Sequence, residues 1–266
     1  MTACIDVAIK GSIAEVVLNR PRAYNAFDLD MMRRLTSALM RLAADDAVRG
    51  LLISANGSAF CAGGDLKWAT GGEGTPAGAF HELAACFHLA ILEIRRMPKP
   101  VAAAIDGVAA GGGFSLALAC DFRIMAQSAV LRQAYTSSGL CLDGGGSFHL
   151  PRLVGLSRAL EIAAFDRPIT ARRAEQWGLV TRIVPDGTAR RQAFDLLEQL
   201  SRSAIHAFGR AKQLFTDAFH HSIETHLELE RQALCACAEH PEGREGLAAF
   251  AEKRKPRFSS APLKRA

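Results

Sequence analysis

Apolar positions change their period several times along the chain, and the changes mark the elements. Residues 13–18 read as a strand, and 50–55 (GLLISA) form a compact apolar run of the buried-strand type. Between them Leu29, Met32, Leu35, Leu39 and Leu42 recur at steps of three and four, which predicts a helix over 28–44 with Asp28 placed to cap it. The cycle repeats. Phe80, Leu83, Phe87, Ile91 and Ile94 form a second helical stripe that must end before Pro98 and Pro100, and 101–105 follows as a strand. A third cycle pairs a short helix over 114–119, opened by Gly111, Gly112 and Gly113, with a strand over 122–125; a fourth pairs 158–164 with 179–184. Alternation of strand and helix predicts an α/β fold. Strand signals stop near residue 190, and 204–253 is helical almost throughout with a break at 241–243, so the organisation is expected to change near residue 200. No exact repeat or low-complexity segment is apparent, and 71–78 (GGEGTPAG) reads as a flexible surface loop.

Composition narrows the class. The chain has 266 residues, 49% hydrophobic and 22% charged, the balance of an ordinary globular protein and not of a disordered or fibrous one. Its formal charge of +5 is local: Lys253, Arg254, Lys255, Arg257, Lys264 and Arg265 crowd the last fourteen residues without an acid, and the rest is close to neutral. A nucleic-acid protein would spread that excess over a face or groove, so no nucleic-acid partner is expected. Seven cysteines without a paired framework, and Cys235-x-Cys237 without zinc spacing, read as reduced thiols of a cytoplasmic protein with no metal site. The longest apolar stretch, 107–120, is too short to cross a bilayer and no signal segment is apparent, so no membrane association is expected.

Candidate chemistry sits at two glycine-rich corners that follow strands, 59–66 (AFCAGGDL) and 106–114 (DGVAAGGGF). Glycines at a strand-to-helix turn let free backbone N–H groups and the positive helix end approach a ligand, although they equally serve tight turns and close packing. Gly72-x-Gly74-x-x-Ala77 has the spacing of a dinucleotide fingerprint but follows no strand. Gly113-Phe114-Ser115-Leu116-Ala117 approximates a nucleophile elbow, but alanine stands at the last glycine and a glycine loop, not a strand, leads into it. His149, His206, His220, His221, His226 and His240 offer no single triad partner, which favours a packing or substrate-lining role for Ser115. Asp65, at a helix start after the glycines, reads as a cap, and Asp106 and Asp121 as strand-end residues.

Six segments in order, NRPRAYNA (19–26), AFCAGGDL (59–66), AIDGVAAGGGFSLALACDFRI (104–124), LPRLVG (150–155), QWGLVTRIVP (176–185) and FAEKRKPRF (250–258), resemble the enoyl-CoA hydratase/isomerase (crotonase) family over nearly the whole chain. The resemblance implies a spiral of repeated β-β-α units over residues 1–200, which would carry the acyl-CoA site, and a helical oligomerisation region over 201–266 that builds a trimer or a dimer of trimers. It implies an oxyanion hole made by the amides of Gly64 and Gly112, and coenzyme A as part of the substrate, with no tightly bound cofactor. Such donors matter because proton removal beside a thioester, or addition to its conjugated double bond, moves charge onto the thioester oxygen, and each well-aimed donor contributes roughly 3–4 kcal/mol in the transition state.

The acid and base then decide the reaction. Family hydratases use two glutamates, and the matching positions here are Ser115 and Tyr135, neither of which replaces a carboxylate at neutral pH. Asp143, in the segment GLCLDGGG (139–146), matches the single Asp or Glu of family isomerases, and one carboxylate suffices to shift a double bond. The alternative is that Asp143 caps the turn before Gly144. Dehalogenases of the family also carry an acid at that position and an aromatic where Tyr135 stands, which keeps covalent catalysis in view. A hydratase with a different acid and base, a hydrolase acting through Ser115 and a non-catalytic CoA binder complete the alternatives. By resemblance, Ala62, Arg22 and Lys67 lie on the path of the substrate, and Phe250 and Lys253 of a neighbouring subunit reach its adenine end. The residues around Lys253 could equally form a solvated tail.

Overall fold

The computed structural model describes residues 3–72 and 74–258. In chain order the elements are β1 (Ile5–Lys10), β2 (Ile13–Leu18), α1 (Leu29–Ala44), β3 (Gly50–Ala55), β4 (Ala59–Cys61), α2 (Leu66–Gly71), α3 (Pro76–Arg96), β5 (Val101–Ile105), β6 (Val108–Ala110), α4 (Gly112–Ala119), β7 (Phe122–Ala126) and β8 (Val130–Arg132). Then come α5 (Gly146–Val154), α6 (Leu156–Phe165), β9 (Ile169–Thr170), α7 (Ala171–Gln176), β10 (Arg182–Val184), α8 (Ala189–Ser201), α9 (Ile205–Asp217), α10 (Ile223–Glu239) and α11 (Pro241–Ala251).

From β3 to β8 each turn of the chain contributes one strand to each of two sheets. The larger sheet has the order β1-β2-β3-β5-β7-β10 and the smaller β4-β6-β8-β9. β3, β5 and β7 are parallel neighbours in one, and β4, β6 and β8 are parallel neighbours in the other. The repeating unit is therefore strand, strand, helix, a β-β-α spiral. The long apolar strands β2, β3 and β5 are buried along nearly their whole length, because helices cover both faces of a parallel sheet. α1 and α3 bury Leu35, Leu39, Phe87 and Ile91 in the main core, while α8 lays Ala189, Ala193 and Leu197 on the opposite face against Ile13, Leu52 and Ala104.

Several local expectations change. Asp28 caps α1 by accepting from the Met31 amide at 2.8 Å, as its position predicts. Helices take both ends of the expected loop 71–78: α2 runs to Gly71, and Thr75 accepts from the Gly78 amide at 3.2 Å where Pro76 opens α3. The strand expected over 179–184 is confined to β10: Gly178 turns at φ +73°, and Leu179 and Val180 are buried ahead of the strand. The last helical region breaks at His240, where Pro241 starts α11, and also between α9 and α10. α3 is long and apolar enough to span a bilayer, contrary to the expectation that no segment is; its Leu83, Phe87, Ala90, Ile91 and Ile94 are buried in the core. In the basic tail, Arg254 forks onto Glu245 at 2.6 and 3.0 Å instead of extending into solvent. Lys264 and Arg265 lie outside the described residues.

Candidate active site

The two glycine corners meet. A Cβ added to Gly63, which sits at φ +97°, would lie 2.9 Å from the Gly112 nitrogen and 3.0 Å from the Ala110 carbonyl, so only glycine allows the β4–α2 turn to touch the start of α4. The Gly63 carbonyl accepts from the Phe27 amide at 2.7 Å and the Phe27 carbonyl accepts from Asp65 at 2.8 Å, which leaves the intervening Gly64 amide unused. Gly112 is the first residue of α4, where the helix offers no acceptor for its N–H. Neither amide has a hydrogen-bond partner among the described residues, and both glycines line one cavity of ≈ 500 Å³. That arrangement stabilises negative charge on a ligand oxygen, with the α4 dipole adding to it.

Opposite these amides stands a single carboxylate. Asp143 lines the cavity, and its Oδ1 accepts from the Tyr135 hydroxyl at 2.5 Å, which in turn contacts Ser115 Oγ at 3.2 Å. Burial, the Asp143 charge and the hydrogen bond to it push the phenol far above its ordinary range, so Tyr135 is a donor and not a base at neutral pH. Tyr135 is itself held rigidly. Its amide donates to Gln133 Oε1 at 3.1 Å, and the preceding Ala134, at φ +53°, donates to Asp166 Oδ1 at 2.8 Å.

The capping role for Asp143 does not hold. The residue that caps α5 is Gly145, with no side-chain bond, and only the backbone carbonyl of Asp143 serves the turn, accepting from Gly146 at 2.9 Å. The carboxylate faces the cavity instead. Gly144, at φ +56°, and Gly146 are required by packing: an added Cβ would lie 2.1 Å from Phe87 Cε1 in the first case and 2.6 Å from Ser115 Oγ in the second.

Of the other expected contacts, Ala62 lines the cavity beside Gly64. Ser115 does not. It is wholly buried beneath Tyr135, because α4 and α5 close over it at Gly146, and it reaches the cavity only through the tyrosine. No histidine bonds to it among the described residues, so the hydrolase reading lacks its base. Lys67 lies outside the main cavity, on a separate depression with Trp68 and Glu82, because its first-turn position on α2 points it away. Arg22 is exposed on a 3-10 turn over Pro21–Ala23. Phe250, 85% exposed, and Lys253 lie at the end of α11, away from the cavity of their own chain. Asp65 caps α2 by accepting from Trp68 at 3.2 Å and pairs with Arg20; Asp106 accepts from Gly187, and Asp121 from Val101 and Lys212.

The sequence alone did not single out the apolar wall. Phe27, Phe80, Leu83 and Phe87 line the cavity, with Phe27 and Phe87 ring centroids 5.2 Å apart. Three of these belong to the α3 stripe, whose spacing marks a buried face without telling a core from a pocket. His88, whose Nε2 accepts from the Gly144 amide at 3.3 Å, anchors the loop that carries Asp143. The cavity therefore combines an apolar channel, two convergent amides and one carboxylate, a set suited to proton transfer beside a polarised carbonyl.

Comparison with known proteins agrees with this geometry. The profile of the enoyl-CoA hydratase/isomerase family matches residues 8–261. A 1,2-epoxyphenylacetyl-CoA isomerase of Escherichia coli is 33% identical over 94% of this chain and 96% of its own length. A 4-chlorobenzoyl coenzyme A dehalogenase of an Arthrobacter species is 31% identical, over 94% of this chain and 91% of its own. The crystal structure of an enoyl-CoA hydratase from Polaromonas superposes with a TM-score of 0.91 at 33% identity, covering 96% of this chain and 99% of that one. The chain thus belongs to the enoyl-CoA hydratase/isomerase family and is an acyl-CoA enzyme of the crotonase superfamily.

Proposed function

We propose that the enzyme is an enoyl-CoA isomerase in which Asp143 carries the proton. The observation behind this reading is that Asp143 is the one carboxylate among the residues lining the cavity. Hydration needs one group to activate water and another to protonate carbon, whereas a double-bond shift needs one group that does both in turn. Asp143 takes the C2 proton of a 3-enoyl thioester, the electron pair moves into the thioester to give a dienolate whose oxygen is held by the Gly64 and Gly112 amides, and the same proton returns to C4. The apolar wall of Phe27, Phe80, Leu83 and Phe87 would seat the acyl group and keep water from the dienolate.

In the same proposal Arg22 and Lys67 reach the phosphates of coenzyme A from one subunit, and Phe250 and Lys253 reach its adenine from another. Residues 1–200 would carry the chemistry and 201–266 the assembly into trimers, for which exposed Phe215, Phe219, Leu234 and Phe250 supply apolar surface.

The test follows the conjugated-thioester absorbance with a 3-enoyl-CoA and with its 2-enoyl isomer. Absorbance should rise on the first and be lost by about 10²- to 10⁴-fold in rate in Asp143→Asn, with acyl-CoA binding kept. Absorbance falling on the 2-enoyl substrate would mean hydration. Chloride release from 4-chlorobenzoyl-CoA would instead make Asp143 a nucleophile, as the relationship to the dehalogenase allows.

A further inference from the structure

A second cavity, of ≈ 200 Å³, lies at the carboxy end of α4, the end away from Gly112, and its wall includes Arg95, Asp121, Arg123, His149, Arg152 and Lys212. Four cations there face one carboxylate. Asp121 is consumed by Lys212, whose Nζ donates to it at 2.8 Å and gives its other hydrogens to the carbonyls of Ile94 and Lys99. Arg123 is buried and structural as well: its Nε donates to the Leu179 carbonyl at 2.6 Å and its Nη1 to the Cys120 carbonyl, closing α4 where the helix dipole favours a cation.

Arg95 and Arg152 have no such account. Their guanidinium carbons lie 4.5 and 3.5 Å from the centroid of the same ring, Phe148, near enough for the charge of Arg152 to act against that of Arg95. Arg152 donates once, to the Phe148 carbonyl at 2.8 Å, and Arg95 makes no hydrogen bond among the described residues, with Asp217 the one acid whose charge supports it. His149 stands beside them with a buried Nε2 that has no hydrogen-bond partner. Burial and the charges of Arg95, Arg123 and Arg152 push this imidazole down to about 4. His220, stacked against Phe148 at 5.8 Å, adds no acid.

We propose that this cavity is a binding site for a phosphate-type oxyanion, inorganic phosphate or a terminal phosphomonoester, held between Arg95, Arg152 and His149. Two planar guanidinium forks match the tetrahedral oxygens, and a protonated imidazole supplies a third donor. The anion would relieve the repulsion between the two arginines and give His149 the acceptor it lacks. The site is separate from the acyl-CoA cavity: the eight residues of α4 put about 12 Å between its two ends.

The experiment uses the full chain at constant ionic strength. Inorganic phosphate and glycerol 3-phosphate are titrated calorimetrically, with and without saturating coenzyme A, while the His149 imidazole is followed by NMR. Binding that persists with coenzyme A present, together with an upward move of the His149 titration midpoint, is expected. Arg95→Gln with Arg152→Gln should weaken it by at least about tenfold while leaving acyl-CoA turnover in place. Should that double variant fail to fold, Arg95→Lys, which keeps the charge and removes the fork, should weaken binding as well. Response to phosphate alone identifies the free ion as the ligand class, and response to the ester identifies a phosphomonoester. Absence of binding by either, displacement of both by coenzyme A, or equal binding by the variants would overturn the site.

Discussion

The Tyr135 hydroxyl donates a 2.5 Å hydrogen bond to Asp143 Oδ1, and the phenol is itself anchored to Ser115 Oγ. The relationship fixes which carboxylate oxygen is occupied. Oδ2 has no partner among the described residues and, in the proposed isomerisation, would be the atom that meets the substrate proton. Ser115 and Tyr135, the positions that the resemblance matches to hydratase glutamates, thus form a pair that touches a third residue, Asp143.

Replacing Tyr135 by Phe removes that orienting bond without opening much space. A hydrogen bond to a charged group contributes about 1.5–3 kcal/mol, so kcat should fall about ten- to a hundredfold with KM little changed. Steady-state kinetics on the 3-enoyl substrate check this, and an unchanged kcat would remove Tyr135 from the mechanism.

Gly144 and Gly139 make a controlled comparison. Both have positive φ, at +56° and +70°, but a Cβ on Gly144 would strike Phe87 at 2.1 Å while one on Gly139 meets nothing within 4 Å. Gly139→Ala should cost about 1–2 kcal/mol of backbone strain and keep activity. Gly144→Ala adds an overpacking cost of about 1–3 kcal/mol and displaces the neighbouring Asp143, so activity should fall with stability. Urea unfolding and turnover measured on the pair separate the two effects.

Arg49, just before β3, ties the helices after the last strand to the core. It donates to Glu242 Oε1 at 2.8 Å and to the carbonyls of Ser201 and Ser203, while Glu242 Oε2 accepts from the His206 amide at 2.9 Å. Both residues are nearly buried, at 9% and 8% exposure, so Arg49→Met leaves an uncompensated carboxylate and should destabilise by about 3–5 kcal/mol. Arg49→Met combined with Glu242→Leu should recover much of that loss in denaturant unfolding; a purely additive double variant would argue against the pairing.

Acid should release Glu15 in the middle of β2. Burial pushes its carboxyl up, but hydrogen bonds from Arg190 and Ser54 outweigh that and hold it below its ordinary value of 4.5. A lowered folded pKa means the unfolded chain binds the proton first. The stabilisation is therefore complete above the ordinary carboxylate range and is lost as pH falls through the lowered value. Glu15→Gln should flatten the acid limb of a stability-versus-pH curve, measured by thermal melts between pH 7 and 3; an unaltered limb would dismiss the contribution.

The helical stripes of α1 and α3, the strands β2, β3 and β5 and the two glycine corners were legible along the chain, because each declares itself through spacing within one element or one turn, whereas Asp143 was singled out only through the resemblance to family isomerases. β4, β6 and β8 were not, since three residues are too few to show a period, and with them the second sheet and the spiral's pairing came only from resemblance. Tertiary packing decided the rest. It buried Ser115 beneath Tyr135, turned part of the α3 stripe into the wall of a cavity, drew His88 to the Gly144 amide, and gathered Arg95, His149 and Arg152 from two helices around Phe148. Periodicity reports which face of an element is apolar. What that face meets depends on which elements the spiral brings together, and that is a property of the whole chain.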